Sequence, residues 1–181
     1  MRIISGTHKG RKIRPPKKIP SRPTTDRSKE ALFNILNNLF EWSNVIVLDL
    51  FSGTGSISFE FASRGVNSIT AVDQNKTCID FIDQTCLDFN FNIKTHKIKA
   101  LDFLSQNSNK FNIVFLDPPY DYNTSDYEKI ISKIILKNIY SDGLVIVEHS
   151  NKINFKKMIG FTEERKYGSN CFSFFKYKAG L

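Results

Sequence analysis

Apolar residues along this chain recur in two rhythms. Leu32, Ile35, Leu36, Leu39 and Phe40 follow Thr25 and Asp26, either of which can cap a helix start; their spacing predicts a helix to about residue 40. Residues 45–50 (Val-Ile-Val-Leu-Asp-Leu) form a continuous apolar run ending at a glycine turn, as a buried parallel strand does. The alternation continues with a helix over 55–64, a strand over 68–73, a helix over 75–90, a short strand near 94–98 and a helix over 101–106. A second buried strand is predicted over 111–116, then a helix over 125–138 and a strand over 143–148. Residues 160–167 and 171–178 alternate apolar and polar around a Gly-containing turn, which predicts a hairpin. The class implied is α/β: a mostly parallel sheet with helices on both faces, closing on an antiparallel C-terminal hairpin.

A length of 181 residues suits one domain, and 40% hydrophobic with 24% charged residues is a globular composition. No apolar run reaches membrane-spanning length and no signal-peptide layout opens the chain, so the expected compartment is the cytoplasm. Cys78, Cys86 and Cys171 are odd in number and lack metal-ligand spacing, which predicts free thiols and no metal. The net charge of +8 is concentrated at one end. Residues 1–30 hold ten Lys and Arg against Asp26 and Glu30, so this segment accounts for the whole excess. Ile3, Ile4 and Ile13 flank a turn at residues 6–10 that predicts a small basic hairpin, and four prolines stiffen the linker to residue 23. Such an arm on a neutral body is the footprint of a polyanion partner; its plainer reading is a solvated tail.

Three constellations carry chemistry. Asp49-Leu50-Phe51-Ser52-Gly53-Thr54-Gly55 ends a predicted strand, where glycines let backbone approach a ligand. It is not a dinucleotide fingerprint, because Ser58 stands where a third glycine would fall, and no P-loop lysine follows. Asp73 ends the next strand and suits the two hydroxyls of a ribose; alone it reads equally well as a surface aspartate. Asp117-Pro118-Pro119-Tyr120 follows a buried strand. Two prolines hold that backbone extended and remove two donors, leaving acceptors. A base amine delocalises its lone pair into the ring. Two acceptors, the Asp117 carboxylate and Pro118 carbonyl, would turn that lone pair towards an electrophile and stabilise the positive charge that develops. Tyr120 offers a face on which an unstacked base can lie.

With these residues in place the chain resembles the class I S-adenosylmethionine-dependent methyltransferases. Within them it is similar to the bacterial family that methylates the N2 of a guanine in small-subunit ribosomal RNA. Arg2-Ile3-Ile4-Ser5-Gly6 and Gly10-Arg11-Lys12-Ile13 are similar to that family's N-terminal hairpin, and Arg22-Pro23-Thr24-Thr25-Asp26-Arg27 to its most distinctive segment. The resemblance implies a Rossmann-like fold and S-adenosyl-L-methionine as cofactor. It implies that Asp49, Phe51, Ser52, Gly53, Thr54 and Gly55 hold the methionine end, that Asp73 takes the ribose, and that Thr24 and Thr25 help close the pocket. Asp117, Pro118 and Tyr120 would be catalytic. Arg2, Lys9, Arg11, Lys12, Arg14 and Arg22 would grip phosphates of ribosomal RNA, free or in the assembled small subunit, with no membrane and no obligate protein partner. One region departs from the pattern: Lys99 precedes Ala100 where the family usually has Asp or Asn, and Asp102 precedes Phe103-Leu104. Either Asp102 takes that place with a shifted register or, as the preferred expectation, backbone at Ala100 and Leu101 reads the adenine. Two competing readings are an adenine-N6 DNA methyltransferase, for which the chain has no room for a separate recognition segment, and a relative that binds RNA without catalysis. The three histidines suggest no general base, and Glu148 and Trp42 read as structural.

Overall fold

A computed structural model describes residues 1–16, 19, 25–119, 121–168 and 170–176, with the side chain of Ser141 excepted. The expected alternation is present. Helix α1 (Asp26–Asn37) leads into β1 (Ile46–Asp49), α2 (Ser56–Ser63), β2 (Ser68–Asp73), α3 (Lys76–Phe89), β3 (Ile93–Lys97) and α4 (Ala100–Gln106). Then come β4 (Phe111–Leu116), α5 (Thr124–Lys133), β5 (Ile139–Ser150), β6 (Phe161–Tyr167) and β7 (Asn170–Lys176). Among the described residues these strands form one seven-stranded sheet in the order β3-β2-β1-β4-β5-β7-β6. The five strands up to β5 pair in parallel, and β7 pairs antiparallel with both β5 and β6. The chain runs outward from β1 to β3, then returns to build on the other side from β4. The switch between β1 and β4 opens a crevice beyond their carboxyl ends, where ligands bind in open sheets of this kind.

Both faces of the sheet are covered, which explains the unbroken apolar runs. Val47, Ile69, Ile113, Phe115 and Ile146 point to one side and pack with Leu32, Phe33 and Leu36 of α1 and Ile57 and Phe61 of α2. Leu48, Val72, Val114, Leu116, Val145 and Val147 point to the other, against Phe103 and Leu104 of α4 and Ile130 and Ile131 of α5. Thr25 caps α1 by accepting the Ser28 N–H at 3.1 Å, and Trp42 closes that helix, its Nε1 donating to Asn37 Oδ1 at 3.1 Å. Two boundaries differ from the expectation. The fifth helix is α-helical only to Lys133 and widens into a π-turn over Ile134–Asn138. Strand β5 starts at Ile139, but its register with β4 shifts before Leu144, so only the later part pairs regularly.

The N-terminal arm folds back on itself through one antiparallel bridge, Arg2 with Lys12, aided by the Ile3 N–H donating to the Arg11 carbonyl at 3.0 Å. Ile3 and Ile13 are buried against Phe59, Ala71 and Ile82. A buried carboxylate fixes the docking: Glu60 accepts the N–H groups of Ile4 and Ser5 at 2.8 and 3.0 Å and pairs with Arg64 at 2.9 Å and Lys29 at 3.6 Å. Lys29 also donates to the Arg2 carbonyl at 2.7 Å and the Ser56 hydroxyl at 3.2 Å. It therefore serves inside the protein, not on the basic surface where its position in the sequence had placed it. Burial draws its pKa down, with Glu60 opposing.

Candidate active site

A cleft of about 670 Å³ lies at the carboxyl ends of β2, β1, β4 and β5. A smaller depression of about 310 Å³, near Phe40, Asn44 and Asp142, brings together no comparable chemistry. The turn after β1 forms one wall of the large cleft, with Asp49, Phe51, Ser52, Gly53 and Thr54 lining it. Gly53 and Gly55 have φ of 49° and 78°, conformations that favour glycine. At Gly53 an added Cβ would meet nothing within 4 Å, so the backbone there is open to a ligand; at Gly55 it would fall 2.8 Å from the Phe59 ring. The first glycine thus serves approach and the second serves packing of α2. Gly55 itself does not line the cleft.

Asp73 holds this turn. One of its carboxylate oxygens accepts the Gly53 N–H at 2.9 Å and the other accepts the Asn75 N–H at 2.8 Å. Asp49 is 1% exposed and accepts the Ser58 hydroxyl at 2.6 Å. Burial pushes its pKa up to about 7, against the Ser58 bonds and helped by the charge of Asp73. The Ser52 hydroxyl is buried in the cleft wall and hydrogen-bonds to none of the described residues. A buried donor of this kind suits a polar ligand. Open backbone at Gly53, an orphaned hydroxyl and two carboxylates fit a cationic nucleoside such as S-adenosylmethionine. Ala100 and Leu101 line the same wall at the start of α4, where the first helical N–H groups have no intrahelical acceptor. Cys78 is there too, its thiol pushed up to about 11 by burial first and Asp73 second.

The opposite wall is the loop after β4. Asp117, Pro118 and Pro119 line it, with Asp117 half-buried and Pro118 buried. Leu116 pairs with Val147 in parallel register, so Asp117, directly after β4, and Glu148, within β5, are the next positions along adjacent strands. Side chains alternate along a strand. Asp73, Asp49, Asp117 and Glu148 therefore follow Ala71, Val47, Phe115 and Ile146 onto one face of the sheet. A row of four carboxylates thus crosses the cleft of a chain whose net charge is +8. Glu148 is 3% exposed, and Asn170 donates to its Oε1 at 2.6 Å. Both line the cleft.

Glu148 had been read as structural, and Asn170, Ile19 and Tyr122 had not been singled out, yet all four line the cleft. The rings of Tyr122 and Phe51 meet edge to face, 5.6 Å apart. Thr25 is used as the α1 cap and is not among the residues lining the cleft. Thr24, Arg22 and Tyr120 lie outside the described residues. Lys9, Arg11, Lys12 and Arg14 are exposed on the arm; Arg2 is exposed but pairs with Asp26 at 3.2 Å. His149 has its ring nitrogens 2.8 Å from the Ser150 carbonyl and the Ser173 hydroxyl.

Open parallel sheet, glycine turn, ribose-type aspartate and proline loop together define the fold and cleft of a class I S-adenosylmethionine-dependent methyltransferase. Residues 1–176 match the family described as Conserved hypothetical protein 95, and the chain belongs to it. Ribosomal RNA small subunit methyltransferase D of Haemophilus influenzae is 34% identical over 154 residues, which cover 82% of this chain and 78% of that protein. The structure of yhhF from Escherichia coli superposes with a TM-score of 0.83 at 27% identity, covering 99% of both chains. A Thermus thermophilus 16S rRNA N2 G1207 methyltransferase, in complex with AdoMet and guanosine, shares the fold, with a TM-score of 0.70 at 14% identity over 88% of this chain and 45% of that one. Among the described residues no helix is long and apolar enough to cross a membrane.

Proposed function

We propose that this protein transfers a methyl group from S-adenosyl-L-methionine to the exocyclic N2 of a guanine in small-subunit ribosomal RNA. The observation that carries the proposal is that the Asp117-Pro118-Pro119 loop and the Asp49–Asp73 wall face one cleft, on adjacent central strands. The rRNA methyltransferase names among its relatives support the choice of substrate.

The bound cofactor supplies a methyl group made electrophilic by its sulfonium. Ser52, Gly53 and Asp49 hold the methionine end, Asp73 accepts from the ribose, and backbone at Ala100 and Leu101 reads the adenine. The Asp117 carboxylate and Pro118 carbonyl accept the two N–H hydrogens of the target amine and so aim its lone pair across the cleft. The new N–C bond would form as the methyl–sulfur bond breaks and its electron pair returns to the sulfur, leaving a neutral thioether; the nitrogen gains positive charge, which these same acceptors stabilise. The resulting ammonium is acidic enough to lose its proton to water, so no general base is assigned. A base that has left its stack lies on Tyr120, and Lys9, Arg11, Lys12 and Arg14 hold RNA phosphates, assisted by Arg2 and Arg22. The whole chain acts as one domain with residues 1–23 as its basic arm, and Thr24 is assigned a part in closing the cofactor pocket by the resemblance alone.

Labelled methyl transfer onto free small-subunit RNA, assembled small subunits and duplex DNA tests the proposal. Label is expected in guanine of RNA, as N2-methylguanine by mass spectrometry. Label in DNA alone, or in adenine N6, overturns it.

A further inference from the structure

We infer that Glu148 selects guanine, by accepting the N1–H that lies beside the amine to be methylated. This rests on the guanine-N2 reading above. Asp117, directly after β4, and Glu148, inside β5 two residues before its end, follow the Leu116–Val147 pair onto one face, and both carboxylates line the cleft. Guanine offers two neighbouring donors along its Watson–Crick edge, N1–H and the N2 amine. Adenine offers an amine beside an N1 acceptor. A carboxylate only accepts, so Glu148 complements the first edge and repels the lone pair of the second.

The setting of Glu148 suits a reading residue. It is 3% exposed in the cleft wall, and the Asn170 amide, which shares its sheet face, fixes the carboxylate by donating to Oε1 at 2.6 Å. This contact orients Glu148, and a carboxylate can accept from more than one donor at a time. A site built to bond a donor rejects an analogue that lacks it far more strongly than a site built only by shape.

The discriminating probe is 2-aminopurine, which keeps the N2 amine and replaces N1–H by an acceptor. Mass spectrometry first locates the guanine that the wild-type protein methylates. RNA carrying 2-aminopurine at that position is then compared with the guanine RNA. Wild-type protein is expected to prefer guanine by about 10- to 100-fold in kcat/KM, the range of one hydrogen bond to a charged group. Glu148→Gln keeps the size and an acceptor for Asn170, and its amide can donate to N1 of 2-aminopurine. It is expected to reduce that preference to within a few-fold while cofactor affinity and Tm stay near wild type. Intrinsic differences between the two amines cancel when the variant's ratio is divided by the wild-type ratio. An unchanged preference in Glu148→Gln overturns the inference, as does wild-type protein that accepts both bases equally, a result that needs no variant to fold. Absence of any transfer to guanine by wild type breaks the functional reading instead.

Discussion

Asp73 and Asp117 stand in opposite walls of one cleft, and the walls are built in different ways. Around Asp73 the hydrogen bonds are local in the sequence: Gly53 and Asn75 to Asp73, and Ser58 to Asp49. All of these lie within residues 49–75, on two strands, the turns after them and the first turn of α2. The wall around Asp117 draws on three strands and on residues as far apart as 117, 148 and 170. The first wall is pre-organised by its own backbone, as suits a small ligand of constant shape. The second presents acceptors from separate strands, as suits a base delivered by a large substrate. The difference teaches that binding and chemistry are separable here, and single substitutions can break one wall at a time.

The largest effect is expected at Asp117. Asp117→Ala should lower kcat by about a thousandfold, the range for removing a group that stabilises developing charge. Cofactor affinity, measured by calorimetry, should stay within a few-fold. Asp73→Ala should do the reverse. Loss of two charge-assisted contacts weakens cofactor binding by about 10- to 100-fold, while kcat at saturating cofactor falls little. If either variant lost both properties together, the two walls would be one coupled unit.

A middle-sized effect is expected at the arm, which serves neither wall. Replacing Lys9, Arg11 and Lys12 by Ala removes three exposed cations. If each meets one phosphate, the slope of log affinity against log salt should shrink by about 2 to 3 and RNA binding at physiological salt should fall by about 10- to 100-fold. Cofactor affinity should be unchanged. An unaltered salt slope would place the RNA contacts elsewhere.

The contrast between the walls also explains what the sequence could reveal. The turn at residues 49–55 and the proline loop after β4 are contiguous, and each follows an apolar strand, so spacing alone marked them. The sheet was legible for the same reason: burial on both faces writes each strand as an apolar run. Glu148 and Asn170 carry no local signature. A glutamate ending a strand could be a surface charge, and only the antiparallel register of β5 with β7 brings Asn170 to it. Lys29 misled in the other direction. It belongs to a run of basic residues, yet α1 turns it inward to Glu60, 31 residues later and on another helix. Pairings of that kind depend on how helices pack, which periodicity does not encode.

The smallest effect is a pH dependence on the cofactor side. Burial holds the Asp49 carboxyl at about 7, well above its ordinary value of 3.8. A raised pKa means the folded protein favours the neutral form, so this contribution to stability is complete below about pH 4 and fades as pH rises through 7. A cation bound against Asp49 favours the ionised form and pulls in the opposite direction. Below pH 7 binding must therefore release a proton from Asp49, and affinity must climb with pH. The expected rise is at most tenfold per pH unit between pH 6 and 7, levelling off by about pH 8. Asp49→Asn should therefore bind more weakly at pH 8, with a flat profile. Calorimetry in two buffers of different ionisation enthalpy would count the proton released. A profile equally steep in Asp49→Asn would assign the titration to another group and leave Asp49 a purely structural acceptor for Ser58.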